Sequence, residues 1–100
     1  MQKNVRDYCK ELSRDIVDNI YVKQVVRSSS SIGANYIEAN DKLGKNDFLM
    51  KLRIARREAK ETEYWLELLE HGNQEVNKRL KTEVIELRKI LSAIIIKIDK

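Results

Sequence analysis

The sequence predicts an all-α protein, an antiparallel up-down-up-down four-helix bundle, from its composition and from apolar residues at helical spacing. The chain of 100 residues contains no proline, three glycines and 36% charged residues. This composition suits long helices, whereas β-sandwiches with many tight turns need more glycine and proline. The length predicts a single domain, residues 1–100.

The clearest helix is predicted from Asn46 to Gly72. Its apolar residues recur at alternating steps of four and three, which places them in one stripe along a helix of about seven turns. The stripe consists of Phe48, Leu52, Ala55, Ala59, Thr62, Leu66 and Leu69. Asn46 is the predicted N-cap, and Gly72 is predicted to close the helix in a left-handed conformation. Because caps are predicted at both ends and an apolar stripe between them, the other helices are placed relative to this one, which we call the organising helix.

A short amphipathic helix is predicted before it, from about Asn4 to Asp18. Its apolar stripe consists of Val5, Cys9, Leu12 and Ile16. Cys9 is the only cysteine, so an intrachain disulfide and a cysteine-based zinc site are excluded within one subunit. Its place on the stripe favours a buried small hydrophobic residue over a reactive thiol.

The second helix is predicted from about Ile20 to Asn40, across four consecutive serines. Serines followed by a glycine are also typical of a flexible linker. Two stripes at helical spacing favour a helix: an apolar one of Val22, Val25, Ser29, Ile32 and Tyr36, and a polar one of Gln24, Ser28, Ser31, Asn35 and Glu38. The small residues predict a close approach of neighbouring helices, which would offset the cost of Gly33 within a helix.

Two short connections frame the organising helix. Glycine, asparagine and aspartate cluster between Asn40 and Asn46, which predicts a loop. The second connection runs from His71 to Gln74. His71 is the only histidine, and we interpret it as a partner of the helix dipole or a solvated tip rather than a catalytic base.

The last helix is predicted from about Glu75 to Ile98. Its core stripe consists of Leu80, Val84, Leu87, Leu91, Ile94 and Ile98, whereas Ile85, Ile90, Ala93, Ile95 and Ile96 lie off the stripe. A helix that is apolar on all sides must be covered on all sides, so subunit association is predicted. A membrane-surface anchor is the weaker alternative, because the rest of this helix is evenly mixed in charge.

The charge balance is mildly basic. Twenty Lys and Arg residues against sixteen Asp and Glu residues give a net charge of +4, with a pI near 9.2. This balance is compatible with nucleic acid and is also common in ordinary cytosolic proteins. The sequence has neither a membrane-spanning apolar run nor a signal peptide, which predicts a cytoplasmic protein without a membrane partner.

Three segments resemble a known family. They are QVVRSSSSIGANYIEAN from Gln24, KNDFLMKLRIARREAKETEYWLELL ending at Leu69, and KILSAIIIKI near the C-terminus. The chain resembles the 23S rRNA-intervening sequence protein family, first noted as proteins encoded within intervening sequences of bacterial 23S rRNA genes. The resemblance implies a left-handed four-helix bundle that assembles as a homopentamer. It also implies an association with RNA, because members include an accessory protein of diversity-generating retroelements that works with a reverse transcriptase.

The resemblance also implies family motifs on two helices. By similarity, Ser31, Asn35 and Glu38 match a polar motif of the second helix, and Glu63, Trp65 and Leu66 match a motif of the third helix. With Arg27 close by, the second-helix residues form a predicted polar seam of Arg27, Ser31, Asn35 and Glu38. The seam has two interpretations, a ligand or acid/base site and a hydrogen-bonded seam between subunits, of which the second is favoured.

A basic cluster occupies the first half of the organising helix. It consists of Lys51, Arg53, Arg56, Arg57 and Lys60, and acidic residues crowd the second half. This order opposes the helix macrodipole, which favours acids at the start and bases at the end. The cluster is interpreted either as ion-pairing chemistry within and between subunits or as a nucleic-acid-binding patch repeated around an oligomer, and the sequence does not decide between them.

Three hypotheses of function follow. The first is a non-catalytic oligomeric protein that binds RNA or DNA through the basic cluster. The second is a scaffold that binds a protein partner through its apolar last helix or the acidic half of the third helix. The third, an enzyme, is disfavoured because the sequence has no metal-ligand spacing, no nucleophile paired with a base and no phosphate-binding loop. No cofactor, metal or catalytic residue is predicted.

Overall fold

The computed structural model describes residues 2–11, 16–41, 44–69 and 73–99, and these residues form four α-helices. They are α1, Gln2–Glu11; α2, Ile16–Ala39; α3, Lys45–Leu68; and α4, Gln74–Ile98. No strand occurs in these ranges, so the predicted all-α fold is confirmed. The helices form one elongated body of 45 × 19 × 19 Å.

Helices α2 and α3 run antiparallel over nearly their whole length. Near the start of α2, Tyr21 contacts Trp65 near the end of α3, with ring centroids 5.9 Å apart. Towards the other end, Glu38 of α2 forms an ion pair with Lys51 of α3. These contacts connect opposite ends of the two helices, as expected of an up-and-down pair.

Helices α3 and α4 are antiparallel for the same reason. Arg53 near the start of α3 bonds to Asp99 just after α4, and Asn77 in the first turn of α4 bonds to the carbonyl oxygen of Leu66 near the end of α3. Helix α1 packs against α2 and α4 and lies diagonally across from α3. This order of neighbours is consistent with the predicted up-down-up-down bundle, whose handedness stays a prediction.

Helix α1 is shorter than the sequence predicted. It ends at Glu11, and residues 12–15, including the predicted stripe residue Leu12, lie outside the described residues. Ile16 begins α2 and is 81% exposed, so its assignment to the buried stripe of the first helix was wrong. The four-three spacing of apolar residues continues from α1 to Ile16 in α2, and spacing alone does not show where one helix ends and the next begins. Val5 and Cys9 are buried as predicted.

The serine run is helical, so the linker interpretation was wrong. Ser28 and Ser29 are buried in α2, where a larger side chain would hold the helices apart. One expectation for α2 was wrong, because Tyr36 is exposed. Gly33 has no atom within 4 Å of the position that a Cβ would occupy, so packing within the subunit does not explain this glycine.

Helix α3 carries the predicted core stripe but begins differently. Every residue of the stripe is buried except Phe48, which is partly buried against the core. The N-cap is Gly44 without a side-chain hydrogen bond, so the prediction of Asn46 as the cap was wrong; the helix begins at Lys45. At the other end, the N–H of Leu69 bonds to the carbonyl oxygen of Leu66, and Gly72 and His71 lie outside the described residues.

Helix α4 begins at a side-chain cap. The Asn73 side chain accepts a hydrogen bond from the N–H of Val76 at 3.1 Å. Ile95 is buried, so its placement off the core stripe was wrong: the buried face is rotated towards Ile95, and Leu87, Ile94 and Ile98 lie at its edges. Ile90 and Ile96 are exposed. Within the described ranges, no helix has the length and apolar content needed to cross a membrane.

Candidate functional site

One outward stripe of α3 combines basic and aromatic side chains. Arg53, Arg57, Lys60 and Tyr64 follow one another at steps of four, three and four, and all four are exposed. Residues at these steps lie on one side of a helix. The stripe divides two surface depressions, one towards α4 and one towards α2.

The depression towards α4 is a basic groove. It has a volume of about 430 Å³ and is lined by Arg53, Arg56, Arg57 and Lys60 of α3 with Arg88 and Ser92 of α4. The structure therefore brings together four of the five residues of the predicted basic cluster. It adds Arg88, which the sequence analysis missed because no spacing along α3 can indicate a cation on another helix.

The cations of the basic groove differ in how well they are paired. Arg53 bonds to Asp99 at 2.8 Å, and Arg88 lies 3.5 Å from Glu63. Arg56 and Lys60 form no ion pair with any carboxylate of the described residues. These two side chains are therefore the ones with charge most available to a ligand.

Two further features of the groove concern the other arginines. Arg57 is 3.9 Å from Glu58, at the outer limit of an ion pair. The Nε–H of Arg88 is buried and has no hydrogen-bond partner among the described residues. An unpaired buried donor costs about 1–3 kcal/mol.

Lys51, the fifth residue of the predicted cluster, lies elsewhere. Its Nζ is 2.6 Å from a carboxylate oxygen of Glu38 on α2, so it faces away from the basic groove. The helical period explains this, since Lys51 precedes Arg53, Arg57 and Lys60 by two, six and nine residues, steps that place it on the opposite side of α3.

The predicted polar seam does not form one site. Arg27 reaches across to α3, Ser31 and Asn35 bond to each other at 3.1 Å, and Glu38 pairs with Lys51. Only Ser31 and Asn35 interact directly, within α2 itself. The polar residues that are buried lie elsewhere: Ser28, Ser29, Glu58, Thr62 and Asn77.

Arg27 anchors a polar network between α2 and α3. Its guanidinium donates to Glu58 at 3.0 Å and to Glu61 at 2.6 Å. The hydrogen bond to Glu61 and the charge of Glu58 raise the pKa of Arg27 despite some loss of solvation. Thr62, one turn after Glu58, lies 2.7 Å from the hydroxyl of Ser28. The network therefore pairs Glu58 and Glu61 with a cation of α2.

The depression towards α2 is an aromatic cleft of about 570 Å³. It is lined by Gln24, Arg27, Arg57, Lys60, Glu61, Tyr64 and Trp65. Tyr64 meets Trp65 edge-on, with ring centroids 5.0 Å apart, and Trp65 packs against Tyr21. The Nε1–H of Trp65 has no hydrogen-bond partner among the described residues. The sequence analysis named Trp65 only through the family motif and missed Tyr64.

The three residues of the third-helix family motif lie in different surroundings. Leu66 is a core residue, Glu63 lies beside Arg88, and Trp65 lines the aromatic cleft. The described residues contain no group of three side chains suited to hold a metal ion. What the arrangement offers chemically is a set of anion-binding guanidinium and ammonium groups next to an exposed aromatic ring.

Comparisons with known proteins identify the family. A crystal structure of a protein of unknown function from the S23 ribosomal protein family of Bacteroides thetaiotaomicron VPI-5482 has a TM-score of 0.75 and 32% identity, covering 94% of this chain and 96% of that one. No curated protein matches the chain. The family model of the 23S rRNA-intervening sequence protein matches residues 1–93. The chain therefore belongs to the 23S rRNA-intervening sequence protein family.

Proposed function

We propose that this protein is a non-catalytic accessory factor that binds nucleic acid, in particular RNA, through the basic groove. The observation that carries the proposal is the convergence of five cations from two helices on one groove, two of them without an ion-pair partner among the described residues. Like charges this close repel one another. A bound polyanion relieves that repulsion. Each guanidinium group can also donate two parallel hydrogen bonds to the oxygens of one phosphate.

The comparisons support RNA as the polymer by association. The family is named after sequences that intervene in 23S rRNA, and the neighbour from Bacteroides is assigned to a ribosomal protein family, although its function is unknown. These names indicate a genetic and structural relationship to RNA rather than a contact. The basic groove supplies the physical reason for a contact.

Charge reversal of the unpaired cations tests the proposal. The variant Arg56→Glu/Lys60→Glu breaks no ion pair within the described residues, so its fold is expected to be retained, as circular dichroism would verify. We expect its affinity for a structured RNA to fall at least about tenfold at low salt, because phosphate contacts dominate binding. The readout is fluorescence anisotropy of the labelled RNA.

A control with the same change in net charge separates the groove from general electrostatics. Lys3 and Arg6 are exposed on α1, diagonally across the bundle from α3. The variant Lys3→Glu/Arg6→Glu is expected to bind with an affinity within about threefold of the wild type. Equal losses in both variants, or no loss in the groove variant, would overturn the proposal.

Exposed apolar side chains support a second function, assembly into a homo-oligomer that serves as a scaffold. Ile90 and Ile96 are more than half exposed on α4, and Ile37 is 71% exposed on α2. Apolar surface of this kind favours association, and the family resemblance implies five subunits. A ring of subunits would repeat the basic groove around an axis. The acidic residues late in α3, such as exposed Glu67, offer a further surface for a protein partner.

Sedimentation of an outer-face variant tests assembly. Ile96→Lys changes an exposed side chain and is expected to lower the mass of the particle, whereas a change at buried Ile95 would disturb the core. Lys97→Glu, at an exposed neighbour, is the control and is expected to sediment as the wild type does. A wild-type protein that sediments as a monomer at all concentrations would contradict assembly. An oligomer that survives Ile96→Lys would exclude this face of α4 as the interface.

A further inference from the structure

We propose that the aromatic cleft binds one unpaired base of a single-stranded nucleic acid, stacked on Tyr64, while the adjoining basic groove holds the phosphates beside it. This inference rests on the proposed function and names its ligand as single-stranded RNA or DNA. Arg57 and Lys60 line both depressions, so the cleft and the groove form one continuous surface across the outward stripe of α3.

Tyr64 has the properties of a stacking platform. It is 56% exposed, and its ring is held edge-on by Trp65, which in turn packs on Tyr21. A ring that is supported on its edge is oriented before a ligand arrives, which lowers the entropy lost on binding. Its exposed face is the kind of surface on which bases stack without regard to sequence.

The spacing along α3 places the ring next to the cations. At a rise of about 1.5 Å per residue, Tyr64 lies about 6 Å along the helix from Lys60 and about 10 Å from Arg57. These distances are within reach of the base and the neighbouring phosphates of a short single strand. Aromatic rings within a basic groove are the usual arrangement for binding single strands.

The polar groups of the cleft are compatible with a base. Glu61 is already bound by Arg27, so it repels a phosphate less than a free carboxylate would. Arg27 also donates to Gln24 Oε1, which leaves the Gln24 amide nitrogen available to a base edge.

A duplex cannot occupy the cleft in this way. Its bases are stacked on one another and present only their edges, whereas the face of a base is accessible in single strands, loops and bulges. The volume of about 570 Å³ falls within the usual range for small-ligand sites, which extends from about 300 to 1,000 Å³. The protein is therefore expected to prefer unpaired segments over duplex.

The test compares a single strand with a duplex on the same variants. The probes are oligouridine and oligodeoxythymidine of about 12 nucleotides, within the usual range of site sizes, and the duplexes that they form with their complements. Trp65 is the only tryptophan, so its fluorescence reports occupancy of the cleft directly. Tyr64→Leu removes the ring and is expected to weaken single-strand binding by roughly 5- to 150-fold, the effect of one stacked base.

Three variants serve as controls. Tyr64→Phe keeps the ring and should restore single-strand affinity, which a general effect on the surface would not do. Tyr36→Leu removes another exposed tyrosine, on α2, and is expected to change nothing. The groove variant Arg56→Glu/Lys60→Glu weakens both single strand and duplex if the proposed function holds.

The outcomes separate the two proposals. A selective loss of single-strand affinity in Tyr64→Leu, with quenching of Trp65 by both probes in the wild type, supports the inference. Equal binding of single strand and duplex, unchanged by Tyr64→Leu but lost in the groove variant, overturns the inference and leaves the proposed function standing. If neither probe binds at low salt, both fail.

Discussion

At the residue scale, Asn77 shows how one buried amide connects three helices. Its Nδ2 donates to the hydroxyl of Tyr8 on α1 at 2.9 Å and to the carbonyl oxygen of Leu66 on α3 at 2.8 Å. The Tyr8 hydroxyl in turn donates to the carbonyl oxygen of Leu69 at 2.7 Å. Carbonyl groups at a helix end need partners from outside the helix; the cluster supplies the Tyr8 hydroxyl to Leu69 and adds a second donor to Leu66, which also accepts from the N–H of Leu69.

Removing that amide should destabilise the fold. We expect Asn77→Leu to lower the free energy of unfolding by about 1–3 kcal/mol, because it removes the buried hydrogen bonds from α4 to Tyr8 of α1 and to Leu66 of α3. Asn35→Leu is the matched control: Asn35 bonds only to Ser31 within its own helix, and its loss is expected to cost less than about 0.5 kcal/mol. Urea denaturation of both variants measures the difference. Equal effects would contradict the role assigned to Asn77.

Single residues also mark what the sequence could not predict. The burial of Cys9 followed from its place on a stripe, since burial depends on one helix at a time. The partners of Arg27 and the contribution of Arg88 depend on which helices are neighbours and on their register. The predicted polar seam separated for the same reason: Arg27 and Glu38 pair with different residues of α3, whereas Ser31 and Asn35 bond to each other.

At the scale of elements, Gly33 is a weak point of α2 that packing does not explain. It is exposed within the helix, with no atom near the position of a Cβ. Gly33→Ala is therefore expected to raise the free energy of unfolding by about 0.5–1 kcal/mol, since alanine loses less backbone entropy in a helix. Thermal and urea unfolding measure the change.

The same variant reports on assembly. If Gly33 lies where another subunit approaches closely, Gly33→Ala would lower the stability of the oligomer while its secondary structure is retained. A stabilised protein with unchanged sedimentation supports an open position. A destabilised one contradicts the expectation and places the glycine in a contact between subunits.

The helices themselves were largely predictable, and their ends were less so. Spacing identified α2 as a helix despite its serines. It also predicted most ends of α3 and α4 to within a residue or two, because amphipathic periodicity reflects burial directly. Caps were harder. Asn46 has the right side chain for a cap, but the chain enters α3 at Gly44, whereas Asn73 caps α4 with its side chain.

At the scale of the whole molecule, α1 completes only part of the bundle. It has ten residues, against 24 or 25 in each of the others, and its contacts reach Ser30 on α2 through Gln2. The part of the bundle beyond Ser30 is built from α2, α3 and α4. The basic groove lies between α3 and α4, and among the described residues α3 makes no close backbone contact with α1.

The salt dependence of RNA binding tests the central claim, that the basic groove binds a phosphate backbone, most directly. For single strands, log affinity falls against log salt with a slope of about 0.7 for each phosphate contact, so five groove cations predict a slope of up to about 3.5 per subunit. In Arg56→Glu/Lys60→Glu the slope should fall by at least about 1.4. A steeper wild-type slope would indicate that several subunits contribute. No binding at low salt, or a slope that the groove variant leaves unchanged, would contradict the account.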